Sequence, residues 1–146
     1  MEEQAETSSS ARRPSLARVT CFLLMKWYAF AVVLAFVGDR FKSWVLDNSV
    51  GSVEILKNTG SYFLYITFNI VVFTLLFLGP FYGALRIRLM AARVICIAAL
   101  LVIEYVAYTA LASTSDLTLG VYNGMVTFGF LLVFFPRRFN SRIALD

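Results

Sequence analysis

The chain has 146 residues, of which 60% are hydrophobic, 16% aromatic and 15% charged. A typical soluble domain is about 45–50% apolar and about 25% charged, so this composition excludes an ordinary soluble globular domain, and the high hydrophobicity excludes a disordered chain. The net charge of +4 does not indicate nucleic-acid binding, because the arginines lie beside long apolar runs, as they do in proteins oriented in membranes.

Residues 1–18 are predicted to form a flexible polar tail. Glu2, Glu3 and Glu6 stand near its start, and arginines follow them. A cleaved signal peptide begins instead with basic residues and ends at a small-residue cleavage site. We therefore expect this tail to stay attached and to lie in the cytoplasm.

Four apolar segments follow the tail, and at about 1.5 Å per residue each approaches the ~30 Å thickness of the bilayer hydrocarbon. They span residues 19–37, 62–78, 94–112 and 119–135. None alternates polar and apolar residues as membrane strands do. The Gly79-Pro80 pair is expected to end the second segment. The predicted fold is an all-α integral membrane protein, a single bundle of four transmembrane helices over residues 19–136.

Lysines and arginines outside the apolar segments predict how the bundle is oriented. Three segments on one side, including a short basic tail at residues 137–146, carry three arginines each: Arg12, Arg13 and Arg18; Arg86, Arg88 and Arg93; Arg137, Arg138 and Arg142. The opposite side has only Arg40, Lys42 and Lys57, which acidic residues offset. Both termini are therefore predicted to be cytoplasmic, in an inner or plasma membrane. The arginines expected to face lipid headgroups are Arg86, Arg88, Arg93, Arg137 and Arg138.

The longest predicted connection, residues 38–60, lies on the outer side. Phe41 and Trp44 give it an apolar turn that is expected to rest at the membrane interface, with Trp44 at headgroup depth. A loop that docks a partner or gates a passage is the alternative interpretation.

Each predicted helix carries one polar side chain at a similar depth. These residues are Lys26, Asn69, Glu104 and Thr127. Ionisable groups deep in a bilayer are costly and are therefore the first candidates for a functional role. We take this polar layer as the candidate site.

Three interpretations of the layer remain open from the sequence. In the first, Glu104 pairs with Lys26, the two uncharged members hydrogen-bond across helices, and the layer fixes helix packing. In the second, Glu104 pairs with a basic residue of a different membrane subunit. In the third, Glu104 exchanges protons in a transporter, with Tyr105 and Tyr108 lining the route.

Small residues at a spacing of four predict close contacts between helices. Gly120 and Gly124 form a G-x-x-x-G pattern, and Ala31 and Ala35 form a weaker pair of the same kind. Such spacing lets two backbones approach, within one bundle or between two copies of the chain.

Enzymatic chemistry is not predicted. The chain has no histidine, and its two cysteines, Cys21 and Cys96, are expected to be small packing residues. No phosphate-binding glycine loop, paired-carboxylate cluster or nucleophile with a neighbouring base is visible in the sequence. We therefore predict no metal and no cofactor.

The most consistent functional prediction is a non-enzymatic accessory or partner-binding subunit of a membrane assembly. Its partners would be the lipid bilayer and another membrane protein, or a second copy of the chain. One alternative is a small homo-oligomeric proton- or ion-coupled transporter or channel centred on Glu104. Another is a membrane immunity protein that protects against a membrane-active toxin.

Overall fold

A computed structural model describes residues 14–112 and 117–136, and within these ranges all regular structure is helical. The elements are α1 (Leu16–Phe36), a π-helical turn (Lys42–Leu46), α2 (Ser52–Arg86), α3 (Met90–Ala112) and α4 (Leu117–Phe134). All four α-helices are long and apolar enough to cross a membrane. The predicted all-helical class and the number of long apolar helices are thus confirmed.

Helix α1 begins at a polar cap and buries one face. The Ser15 side chain accepts a hydrogen bond from the Arg18 backbone N–H, which satisfies a donor of the first turn. The buried residues of α1 recur every three to four positions: Val19, Phe22, Leu23, Lys26, Trp27 and Phe30. This spacing places them on one side of the helix, against the rest of the bundle.

Helix α2 is longer at both ends than the sequence predicts. It continues through Gly79-Pro80 to Arg86, with Pro80 inside the helix. Apolar helices tolerate an internal proline where neighbouring helices hold the chain in place. Here Phe81, directly after the proline, is fully buried and its ring lies 5.8 Å from that of Phe22 in α1. The expected stop at this pair is therefore wrong, because packing against α1 outweighs the local preference.

The start of α2 also corrects the prediction of a long outer loop over residues 38–60. The helix already begins at Ser52, after Gly51 in a conformation with φ of 98° that favours glycine. A carboxylate oxygen of Glu54 accepts a hydrogen bond of 2.7 Å from the Val50 backbone N–H. These two local features fix the helix start in a segment whose apolar periodicity is weak.

Aromatic contacts set an antiparallel register between α1 and α2. The Trp27 ring lies 4.9 Å from the Phe73 ring, and Phe22 meets Phe81 one to two turns further along. By this register the last residue of α1, Phe36, lies roughly level with Tyr65 of α2.

The N-terminal part of α2 therefore projects beyond the end of α1. Its 35 residues make a helix of about 52 Å, against about 30 Å of hydrocarbon and about 40–45 Å of whole bilayer. We call residues 52–60 the α2 extension. At about 1.5 Å per residue it spans about 13 Å, and its Asn58 amide donates a hydrogen bond of 2.9 Å to the Ser49 hydroxyl of the connection.

The connection between α1 and α2 is folded onto α2. Trp44 in the π-helical turn lies 5.6 Å from the Tyr62 ring and 5.0 Å from the Tyr65 ring, and Phe41 lies 5.6 Å from Tyr62. Val45 of the same turn is fully buried. The predicted apolar turn, which contains Phe41 and Trp44, thus packs on the surface of α2.

The turn between α2 and α3 changes the expected role of one arginine. Arg93 is only 7% exposed, and its guanidinium donates to the Ile87 carbonyl oxygen from Nε at 3.0 Å and from Nη2 at 2.6 Å. It therefore caps the end of α2 and does not face headgroups. Arg86 and Arg88 are exposed, as expected for headgroup contact. Arg137 and Arg138 lie outside the described residues.

The two glycines of the G-x-x-x-G pattern have different surroundings. A Cβ atom at Gly120 would lie 2.7 Å from Cδ2 of Tyr105, whereas one at Gly124 would meet nothing within 4 Å. The Tyr105 ring of α3 thus packs directly on Gly120 of α4. Ala31 and Ala35 are both half-buried, and Ala31 packs against the core.

We predict that Gly120→Ala lowers the free energy of unfolding by about 1–3 kcal/mol, because the methyl group displaces the Tyr105 ring. Gly124→Ala is the matched control and is expected to be neutral or to stabilise by up to about 1 kcal/mol, since alanine favours the helix. The measurement is reversible unfolding in mixed detergent micelles. Equal destabilisation by both substitutions would contradict this packing.

Candidate functional site

A buried ion pair joins α1 to α3 near the centre of the bundle. The Lys26 ammonium contacts both carboxylate oxygens of Glu104, 78 positions later in the chain. Both side chains are 0% exposed. The structure therefore brings together the two ionisable members of the predicted polar layer.

Helix α4 supplies the third polar group of this site. The Asn123 side-chain amide donates a hydrogen bond of 3.1 Å to a carboxylate oxygen of Glu104. Thr127, one turn further along, is fully buried, and its hydroxyl donates to the Asn123 backbone carbonyl oxygen at 2.8 Å. We call Lys26, Glu104, Asn123 and Thr127 the polar cluster. It connects α1, α3 and α4.

Asn69 does not belong to this cluster, and its assignment to the layer is corrected. Its amide donates to the Tyr65 carbonyl oxygen of its own helix at 2.7 Å. Equal depth places residues on one level of a bundle but leaves the rotation of each helix undetermined. The predicted layer does not include Asn123. The signal for this residue in the sequence is a carboxamide within a largely apolar segment.

Aromatic rings shield the ion pair from water. The Lys26 Nζ atom lies 4.3 Å from the centroid of the Trp27 ring and 5.1 Å from that of the Phe81 ring. Both distances suit cation–π attraction. The ammonium is thus held by a carboxylate on one side and by ring faces on others.

This geometry lets the cluster hold three helices together. In an apolar surrounding, a lone ammonium or a lone carboxylate is very costly, and each charge here offsets that cost for the other. The Asn123 amide satisfies a further lone pair of the carboxylate. The described residues contain no group of three or more His, Cys, Asp or Glu placed to hold a metal ion.

The two tyrosines expected to line a proton route contact different parts of the bundle. Tyr105 faces Gly120, whereas the Tyr108 ring lies 5.7 Å from Phe30. Of the two cysteines, Cys96 is half-buried and packs against the core. Cys21 is exposed, so its expected role as a core residue is wrong; it lies on the face of α1 opposite the packed one.

A cavity of about 320 Å³ lies beside the polar cluster. It is bounded by α1, the connection, α2 and α3, and we call it the aromatic cavity. Its aromatic lining consists of Trp27, Phe30, Trp44, Tyr62, Tyr65, Phe73 and Tyr108. The polar side chains of Arg40 and Asn69 also line it. Trp27 is shared, because its ring borders the cavity and also contacts the Lys26 ammonium.

No protein-family model, no curated protein and no solved structure matches this chain.

Proposed function

We propose that the chain is a non-enzymatic, partner-binding subunit of a membrane assembly, inserted through its four helices with both termini in the cytoplasm. The four long apolar helices support insertion. The distribution of arginines along the sequence supports the orientation, and the membrane would be an inner or plasma membrane.

The internal pairing of Glu104 supports a structural role for the polar cluster. Its carboxylate already accepts hydrogen bonds from Lys26 and Asn123 within the same chain. A basic residue of another subunit would have to displace these partners from a fully buried position. Contact with a partner is therefore better sought elsewhere on the molecule.

The α2 extension is the observation that carries the proposal. Val53 and Leu56, three positions apart on this extension, are 85% and 75% exposed. They form an apolar face where the helix has passed the end of α1, and exposed apolar faces of this kind mark interaction sites. Glu54 and Lys57 flank it with opposite charges. A second membrane protein that presents an apolar segment at the level of Val53 and Leu56 would cover this apolar face.

The test is purification in mild detergent from the membranes in which the protein is made. We expect a second membrane protein in stoichiometric amount, and its loss from the Val53→Asp/Leu56→Asp variant. Ser52→Asp/Lys57→Gln makes the same change in net charge without altering either apolar side chain, and it should retain the partner. A chain that purifies as a lone homo-oligomer would contradict the proposal.

The second candidate function is a homo-oligomeric transporter centred on Glu104. It is favoured by one observation, the contact of the Trp27 ring with both the aromatic cavity and the Lys26 ammonium. A lone homo-oligomer that loses solute or proton flux with Glu104→Gln would support it.

We predict the orientation to be visible by cysteine labelling. In a chain with Cys21→Ala and Cys96→Ala, single cysteines introduced at Ser52 and Ser115 should react with an impermeant maleimide from outside. A cysteine introduced at position 141 should react only after the membrane is permeabilised. Labelling of position 141 in intact cells would overturn the assignment of cytoplasmic termini.

A further inference from the structure

The aromatic cavity extends along the helices and has the volume of a small-molecule site. On α2 its lining runs from Tyr62 to Phe73, a distance of about 16 Å along the helix axis. Its volume of about 320 Å³ lies at the lower end of the range for small-molecule pockets, about 300–1,000 Å³. A ligand with one or two rings suits this volume.

The charges around the cavity favour a neutral ligand. Among the described residues that line it there is no aspartate or glutamate, and the one cation is Arg40. Arg40 already has an interaction partner in the protein, so its charge is not offered to a ligand. Burial of an unpaired ligand charge among the aromatic walls would be costly. The cavity is therefore suited to a neutral molecule.

Asn69 supplies a hydrogen-bond acceptor for such a molecule. Its side-chain Nδ2 atom donates to the Tyr65 backbone carbonyl oxygen at 2.7 Å, which fixes the orientation of the carboxamide. Asn69 is half-buried in the cavity lining, and its Oδ1 atom accepts no hydrogen bond from the described residues. This oxygen is not itself buried, so a ligand can reach it. Because an amide oxygen has two lone pairs, it can accept a hydrogen bond from a ligand hydroxyl group.

We propose that the aromatic cavity binds a neutral, planar phenol of one or two rings. The ring system stacks against the tyrosine and phenylalanine walls, and the phenolic hydroxyl donates to Oδ1 of Asn69. Aromatic walls favour a planar aromatic body over a saturated one of similar size, because ring pairs gain a stacking energy beyond burial. This site is independent of the partner surface on the α2 extension.

The test is calorimetric titration of the protein in lipid nanodiscs with 2-naphthol. This probe is neutral at pH 7, since phenolic hydroxyls titrate at a pH of about 10. The heat of its partitioning into empty nanodiscs of the same lipid is subtracted, so that the remaining heat reports binding to the protein. We expect saturable binding of one molecule per chain.

Two changes to the probe test the hydrogen bond and the stacking without altering the protein. 2-Methoxynaphthalene keeps the rings and the oxygen but cannot donate, and we expect it to bind about tenfold more weakly. 2-Decalol keeps the hydroxyl but has no aromatic ring, and it should bind roughly 3- to 10-fold more weakly.

One substitution in the protein tests the proposed acceptor. Asn69→Leu removes the amide oxygen at similar side-chain volume and should weaken 2-naphthol binding about tenfold. The same variant should bind 2-methoxynaphthalene as the unaltered protein does, which also shows that its cavity is intact. Thr67→Val is the matched control, because Thr67 is an exposed polar residue of the same helix outside the cavity lining. It should leave the affinity for both probes unchanged.

Three results would overturn the proposal. One is the absence of saturable 2-naphthol binding above that of empty nanodiscs. Another is equal affinity for 2-naphthol and 2-methoxynaphthalene in the unaltered protein, since the hydroxyl would then donate no hydrogen bond. The third is an affinity for 2-decalol as high as that for 2-naphthol, since that would assign the cavity to a non-aromatic occupant.

Discussion

Glu104→Gln is expected to lower the free energy of unfolding by about 3–5 kcal/mol, because it leaves the Lys26 ammonium buried without a countercharge. Glutamine keeps the shape of the side chain and can still accept a hydrogen bond from Asn123. The loss of stability therefore measures the effect of removing the negative charge. The matched control is Asp47→Asn, an exposed carboxylate in the connection, for which we expect a change within about 0.5 kcal/mol. The measurement is reversible unfolding in mixed micelles.

The second half of the same experiment is the double variant Lys26→Met/Glu104→Gln. With both charges removed, the desolvation cost disappears as well, and much of the lost stability should return. We expect a coupling free energy of about 0.5–3 kcal/mol between the two positions. Additive losses from Lys26→Met and Glu104→Gln would contradict a direct interaction between the charges.

Arg93→Gln is expected to lower the free energy of unfolding by about 1.5–3 kcal/mol. The guanidinium donates two hydrogen bonds to the Ile87 carbonyl oxygen at the end of α2, and a bond from a charged donor is worth about this amount. Arg88→Gln, at an exposed arginine in the same turn, should change stability by less than about 0.5 kcal/mol.

Lysine at position 93 provides a sharper test of the capping geometry. Arg93→Lys keeps the charge but loses the planar pair of donors, so it should recover only part of the stability. Full recovery with lysine would mean that Arg93 acts through its charge near headgroups, as the sequence alone suggested.

The helices themselves were predictable because lipid imposes a simple rule of length and hydropathy. Residues 19–37, 94–112 and 119–135 each fall largely within an observed helix. The bounds of α2 were not predictable, because Pro80 and Gly79 are local signals for a stop. Their effect is overcome by a tertiary contact, the packing of Phe81 on Phe22.

The sequence predicts which charged residues form the candidate site. It does not predict which other side chains form hydrogen bonds with them. Lys26 and Glu104 stand out in any sequence window, since ionisable residues are rare in apolar helices. The predicted layer includes Asn69 and omits Asn123 because the rotation of each helix depends on side-chain packing across the whole bundle, which the sequence does not specify. The aromatic cavity and the capping role of Arg93 likewise depend on contacts between distant segments.

The central claim is that the buried ion pair holds the bundle while the α2 extension binds the partner. The most direct test is the amount of partner that co-purifies with Lys26→Met/Glu104→Gln, relative to the unaltered chain and to Val53→Asp/Leu56→Asp. We predict that the charge-free double variant folds and retains its partner, whereas the extension variant folds and loses it. A folded charge-free variant without the partner would instead place Glu104 or Lys26 in the contact itself.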